Sequence, residues 1–252
     1  MDVRLYEGVV DLPYVVEEVE GARHLLVVFP RSVPNAPPHV ELRRHVGHFN
    51  AHRVYLGADE HLYMGPNRER RGARAAAELI RQVAEQLEVD GPQVIAFGTS
   101  WRAVCAMYIG LLAGAGRIVV GGPPVHFGWH VHRLAKLMPP DPEAGARRRL
   151  LSGILELDRR GVCAFWDGLI LDTAREATHE ARIDMFVSPD DNTWPDAFWL
   201  AEKLVDHPTL SVSLTTLQYG EHAGVTDAFY SFLDRKLIGD VGRVPEPSPE
   251  RT

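Results

Sequence analysis

Gln93-Val-Ile-Ala-Phe97, then Gly98-Thr99-Ser100-Trp101-Arg102, then an apolar stretch to Ala113, reads as strand, tight turn and helix in that order. Val94 to Phe97 form an unbroken apolar run, the pattern of a strand buried on both faces. Residues 102–113 are rich in Ala, Met, Leu and Ile and have the composition of a buried helix. Working outward, the same alternation recurs. Arg23–Phe29, Arg53–Leu56, Arg117–Val120, Arg182–Val187 and Leu210–Thr216 are further short β-type runs. Between them, Arg70–Glu88 places Ala73, Ala76, Ala77, Ile80, Val83, Ala84 and Leu87 at three- and four-residue spacing. Charges fill its other face, so an amphipathic helix is expected, ended by Asp90-Gly91-Pro92. Residues 195–206 and Thr226–Leu237 read as later helices, and Val3–Glu20 has room for a hairpin ahead of the first parallel strand. Such alternation implies an α/β fold: a mostly parallel sheet covered by helices on both faces.

From Gly121 to about His179 the rhythm breaks down. Pro123-Pro124 and Pro139-Pro140-Asp141-Pro142 punctuate short helical pieces such as Arg147–Arg159. The organisation expected is a core over 1–124 and 181–238, a short helical cap insertion over 125–180, and a disordered tail over 239–252. Three prolines, Pro245, Pro247 and Pro249, mark that tail.

Composition narrows the function classes. A chain of 252 residues with 45% hydrophobic and 24% charged residues is ordinary globular material. Lys plus Arg (27) against Asp plus Glu (34) leaves a net charge of -7, which argues against a nucleic-acid partner. No apolar stretch approaches the roughly 18–20 residues of a membrane span, and Met1–Arg4 opens on mixed charge without a secretion signal. The expectation is a cytoplasmic protein with no membrane partner. Two cysteines, Cys105 and Cys163, are too few for a disulfide framework or a four-thiolate zinc site. Twelve histidines raise the question of metal. His45, His48 and His52 would share one face if they lay on a helix, and His126, His130 and His132 form a second cluster. Neither has the H-E-x-x-H order, so both read as surface or cap residues and no metal is expected. Gly121-Gly122-Pro123-Pro124 is not followed by phosphate-binding chemistry, and no dinucleotide or P-loop motif occurs. No cofactor is expected. Arg147-Arg148-Arg149 reads as a solvated helix face, and Cys105 as core.

The turn after Phe97 carries the chemistry. A serine on a tight strand-to-helix turn stands off the sheet edge with its hydroxyl exposed. The following helix points its N-terminus, and so its backbone N–H groups, at any oxyanion formed there.

Gly98-Thr99-Ser100 resembles the nucleophile elbow, G-x-S-x-G, of the α/β-hydrolases. Gly98 matches the first glycine and Ser100 the nucleophile. Arg102 departs from the pattern, which has a small residue there because helix and strand approach closely. The resemblance implies a triad in the order Ser, acid, His. After the 182–187 run comes Ser188-Pro-Asp190-Asp191-Asn-Thr-Trp194-Pro195. This is similar to the family's acid loop, with Asp191 as the acid by its spacing from Pro195 and Asp190 as the alternative one position away. After the last strand comes Gln218-Tyr-Gly220-Glu-His222-Ala-Gly224, similar to the family's histidine loop. The chemistry needs all three, because a serine hydroxyl is a poor nucleophile until an imidazole takes its proton. A carboxylate then holds the imidazole's tautomer and stabilises the imidazolium. The resemblance further implies an oxyanion hole from the backbone N–H of Trp101 and a second donor in Phe29-Pro30-Arg31-Ser32. Pro30 has no N–H, which leaves Arg31 or Ser32. Trp101, Trp129 and Trp166 suit either the wall of a pocket or the core.

A narrower resemblance rests on Val94–Ser100, Ile118–Pro124 and Leu62-Tyr63-Met64-Gly65. These stretches look like the capsule-biosynthesis and accessory-Sec branch of serine hydrolases, some of whose members are glycan O-acetyltransferases. The function implied is attack by Ser100 on an ester, thioester or activated amide of a small-molecule, acyl or glycan substrate. Transfer of the acyl group to an alcohol instead of water is the alternative. Arg102 motivates another, a degraded hydrolase fold used as a binding module, and a further one keeps the pocket for non-hydrolytic biosynthetic chemistry.

Overall fold

Alternate side chains of a strand face opposite sides of its sheet, and here that alternation separates two cores. The computed structural model describes residues 2–8, 10–29, 42–57, 71–130, 133, 163 and 166–244. Its eight strands are β1 (Arg4–Tyr6), β2 (Leu12–Glu17), β3 (Leu25–Val28), β4 (His52–Leu56), β5 (Val94–Thr99), β6 (Arg117–Gly121), β7 (Ala181–Val187) and β8 (Leu210–Thr216). Leu25, Val27, Val94, Ala96, Ile118, Val120, Ile183 and Met185 point to one face. Leu26, Val28, Ile95, Phe97, Val119 and Phe186 point to the other. Both sets are buried, which is why these strands read as unbroken apolar runs.

Helices α2 (Arg71–Gln86), α3 (Trp101–Ala113), α4 (Leu169–Glu176) and α5 (Trp194–Leu204) cover the first face. The second is covered by the short α1 (Arg43–Val46) and the long α6 (Val225–Val241), through Val46, Phe229, Phe232, Leu233 and Leu237. Helix α2 meets the sheet through small residues, among them Ala73, Ala76 and Ala77, with Ile80 and Val83 completing the stripe.

The strand order is β1-β2-β4-β3-β5-β6-β7-β8. The expected N-terminal hairpin is β1–β2, which pairs antiparallel, as does β2 with β4. From β4 across to β8 every pair is parallel. The chain leaves β3 toward β4 on one side and leaves β5 toward β6 on the other. The carboxyl ends of β3 and β5 therefore border a topological switch point, where open α/β sheets place their ligand sites. Ser100 follows β5 at that point.

Two boundaries differ from the sequence reading. Residues 169–176 fall in the stretch assigned to the cap, yet Leu169, Ile170 and Ala174 of α4 belong to the sheet's own core. The tail assigned from Gly239 begins later, because α6 runs through Val241. Beyond it Asn50 N–H donates to Gly242 O at 3.1 Å and Val244 N–H to His48 O at 2.9 Å. Residues 134–162, the larger part of the expected cap with Arg147-Arg148-Arg149, and 245–252 of the tail lie outside the described residues.

A carboxylate sits inside the second core. Asp184 of β7 is fully buried and accepts from Ser213 Oγ at 2.6 Å, Arg117 Nε at 3.1 Å, Arg182 Nε at 3.1 Å and Lys236 Nζ at 3.2 Å. Burial alone would raise its pKa. The Ser213 hydroxyl and the Arg117 and Lys236 charges outweigh it and hold the carboxyl below its ordinary value.

Candidate active site

Ser100 is the residue between β5 and α3, and its backbone is left-handed, φ 54° and ψ −126°. Among the described residues only Glu88 shares a positive φ without being glycine. Such a conformation persists only where its surroundings over-determine it. Here Ser100 N–H donates to Gly121 O at 2.8 Å, and Ala103 N–H donates to Ser100 O at 2.9 Å. The turn is tight because Gly98 has no side chain: a Cβ there would lie 2.4 Å from the carbonyl oxygen of Arg102. This explains how Arg102 is accommodated where the motif has a small residue. Its backbone makes the close approach to the strand, while its side chain is half-buried.

The hydroxyl has a partner. Ser100 Oγ lies 2.7 Å from His222 Nε2, and His222 Nδ1 lies 3.0 Å from both carboxylate oxygens of Asp191. His222 opens a 3-10 turn, His222–Gly224, between β8 and α6. Asp191 lies on the loop between β7 and α5 and is 2% exposed. Its Oδ1 accepts from the backbone N–H and the hydroxyl of Thr193, each at 2.8 Å, and its Oδ2 from Tyr219 OH at 2.5 Å. Asp190, the alternative acid, is exposed. The structure thus brings together Ser100, His222 and Asp191, from the loops after β5, β8 and β7.

Burial by itself raises the Asp191 pKa, but hydrogen bonds from His222, Tyr219 and Thr193 outweigh it and hold the carboxyl at about 2. It is therefore ionised throughout the range in which an imidazole works. A depressed carboxyl contributes stability that is complete above its unfolded value of about 4 and is lost as pH falls through 2; a shift of this size is worth about 2 kcal/mol. Denaturant titrations from pH 5 to pH 2 are expected to show stability falling more steeply in the wild type than in Asp191→Asn.

Of the two oxyanion donors expected, one lies among the described residues. Trp101 N–H is the first of α3 and belongs to the N–H groups that have no intrahelical acceptor. The Trp101 ring packs edge-on against Phe127 at 4.9 Å, and Phe127 against Trp166 at 5.9 Å; Phe127 and Trp166 are buried in the first core. Trp129 is partly exposed. Arg31, with Pro30 and Ser32, lies outside the described residues, as does Leu62–Gly65.

No protein-family model matches the sequence, and no curated protein matches it. Solved structures do. A capsule O-acetyltransferase of Neisseria meningitidis serogroup A superposes with a TM-score of 0.62 at 13% identity, covering 91% of this chain and 92% of that one. Esterase 2 of Thermogutta terrifontis, in its apo form, gives 0.56 at 15% identity, covering 97% and 96%. The chain has the α/β-hydrolase fold. A Glycosylation Associate Protein (Gap123) complex from Streptococcus agalactiae gives 0.64 at 16% identity; 96% of this chain is covered but 48% of that one, so the match spans about half of that neighbour's length.

Within this α/β-hydrolase fold, Gly121-Gly122 acquires a role that phosphate binding did not give it. Gly122 N–H donates to Phe186 O at 2.8 Å while Gly121 O accepts from Ser100, so the pair ties the ends of β5, β6 and β7 together. Gly122 has φ +52°, and a Cβ there would lie 3.0 Å from Val225 Cγ2, 3.1 Å from Asp191 Oδ2 and 3.2 Å from His222 Cε1. It is the floor on which Asp191 and His222 meet. Thr193 and Tyr219 were equally unmarked in sequence. Both stand within three residues of a triad member, and that adjacency was the one available signal.

The histidine clusters resolve into separate contacts. His45 stacks on Tyr230 at 3.9 Å, His48 bonds Asp234 at 2.9 Å, and His52 accepts from Val19 N–H at 3.2 Å. The shared helix face does not exist, because α1 ends at Val46 and His52 begins β4. His126 Nδ1 and His130 Nε2 both bond Asp196, on the first turn of α5, at 2.8 and 3.1 Å, and His132 lies outside the described residues. The hydrogen bond that His126 donates to Asp196 raises the His126 pKa against the effect of burial. Among the described residues no group of three or more His, Cys, Asp or Glu is arranged to hold a metal ion, and no helix is long and apolar enough to cross a membrane.

Proposed function

We propose that the protein is a serine hydrolase that attacks an ester, thioester or activated amide through Ser100. The observation that carries this reading is the continuous hydrogen-bonded line from Ser100 Oγ through His222 to Asp191. His222 Nε2 takes the hydroxyl proton as Oγ bonds to the acyl carbon. The negative charge that moves to the carbonyl oxygen faces the Trp101 N–H. Collapse expels the leaving group with the proton from His222, leaving an acyl-serine. Water, deprotonated by the same imidazole, then releases the acid and restores the serine. Asp191 stays ionised throughout, fixing Nδ1–H and stabilising the imidazolium. We place the second oxyanion donor on Arg31 or Ser32.

A second reading has its own support. In an O-acyltransferase the acyl-serine is resolved by an acceptor alcohol instead of water, and the likeness to a capsule O-acetyltransferase over nearly the full length of both chains favours it. The binding-module reading fares worse, since a degraded elbow has no reason to keep serine and histidine at 2.7 Å.

Pre-steady-state mixing with p-nitrophenyl acetate tests both. The expected result is a burst of p-nitrophenolate close to one per protein, absent in Ser100→Ala. Adding a polyol or an oligosaccharide and weighing the products separates acetate from acetylated acceptor. No burst from the wild type, or an equal one from Ser100→Ala, removes the acyl-enzyme.

A further inference from the structure

Asp191 is gripped from two sides, and only one of them belongs to its own loop. Thr193, two residues on, donates twice to Oδ1. The second oxygen is held from the histidine loop, by Tyr219 OH. The β7–β8 pairing runs as far as Val187 opposite Thr216, with one more bond from Leu217 N–H to Val187 O at 3.3 Å. Beyond it the acid loop and the histidine loop leave the sheet and have no ladder to set their relative height. Tyr219 reaches across that gap. Its ring packs on Phe186, at the end of β7, with centroids 5.0 Å apart. Gly220 then turns the chain at φ +81°, and His222 follows two residues later to meet the same carboxylate.

We infer that Tyr219 is a positioning residue of the triad, whose hydroxyl holds Asp191 Oδ2 and locks the acid loop to the histidine loop. The inference rests on the hydrolase reading above and names what keeps its acid and base in register. Two physical consequences follow from the geometry. Without the phenol, a carboxylate whose side chain is wholly buried keeps two donors on one oxygen and only a share of His222 on the other, so it is free to rotate away from Nδ1. The phenol also draws charge from the carboxylate. Removing it leaves more negative charge facing the imidazolium, and the triad then keeps its inhibiting proton to a higher pH. Burial first, and the Asp191 hydrogen bond second, push the Tyr219 pKa well up, so the hydroxyl remains a donor across that range.

The test follows the rate of fluorophosphonate labelling against pH, which needs no known substrate. Tyr219→Phe keeps the ring on Phe186 and removes only the hydroxyl. Labelling is expected to slow by about tenfold at neutral pH, with the acidic limb moved upward by about half a pH unit. Replacing Tyr219 by 3-fluorotyrosine, a stronger donor of the same shape, is expected to move the limb the opposite way, and it carries the test if Tyr219→Phe does not fold. A slowed rate with an unmoved limb in both proteins would make Tyr219 merely structural and overturn the inference; an unchanged rate and limb would do the same. The two levels fail differently. A wild type that does not label at all removes the nucleophile, and the inference with it, whereas failure of the inference alone shows only in the variants.

Discussion

His222→Ala is expected to lower kcat by on the order of 10⁵-fold on any ester the protein turns over, with the fold preserved. The imidazole Nε2 lies 2.7 Å from Ser100 Oγ, where the proposed mechanism needs a base. It takes the proton in acylation and returns it to the leaving group, so its loss strikes both steps. Stability should fall by about 1–2 kcal/mol, because the buried Asp191 loses the His222 hydrogen bond but keeps those from Tyr219 and Thr193. The informative comparison is the Ser100→Ala/His222→Ala double variant. Groups that act as a unit are not additive, so the double variant should be no slower than the worse single one. Multiplying losses would mean that His222 and Ser100 serve independent roles, as wall residues of a binding pocket would. Steady-state kinetics on the four proteins decides between these outcomes.

Gly122→Ala comes next in size. The residue sits at φ +52°, where a side chain costs about 1 kcal/mol. Its new methyl would press on Val225 Cγ2, Asp191 Oδ2 and His222 Cε1, all within 3.0–3.2 Å. The carboxylate and the imidazole would have to part to admit it, and displacement of reacting groups by even 1 Å costs about 10²-fold. The expected result is a fall in kcat of about 10²-fold or more with a stability loss of only about 1–2 kcal/mol. Thermal unfolding beside kinetics separates the two effects. A variant that loses stability but keeps its rate would show that the glycine serves the sheet and not the site.

The parts of this fold that were legible in the sequence are those written in local pattern. Buried strands such as Val94–Phe97 and Arg117–Val120 announce themselves by composition, and α2 by its alanine spacing. Ser100, Asp191 and His222 could be picked out because each sits on a loop of recognisable make-up, in a fixed order along the chain. Tyr219 and Thr193 could not, because their value lies in reaching one carboxylate from two loops, a relation across 28 residues in the case of Tyr219. Gly121-Gly122 looked like a glycine pair with no ligand; only the convergence of β5, β6 and β7 shows what it leaves room for. Residues 169–176 fell into the irregular middle because their helix is short, and nothing local told a sheet-covering helix from a cap helix. Arg102 broke a motif on paper, but the contact that the motif protects is made by backbone, which every residue has.

The central claim is that Ser100 is a nucleophile activated by His222. Peptide mapping by mass spectrometry after exposure to a fluorophosphonate tests it most directly. One adduct is expected, on Ser100, formed far more slowly in His222→Ala and absent from Ser100→Ala. An adduct on a different residue, or labelling that Ser100→Ala leaves undiminished, would contradict it.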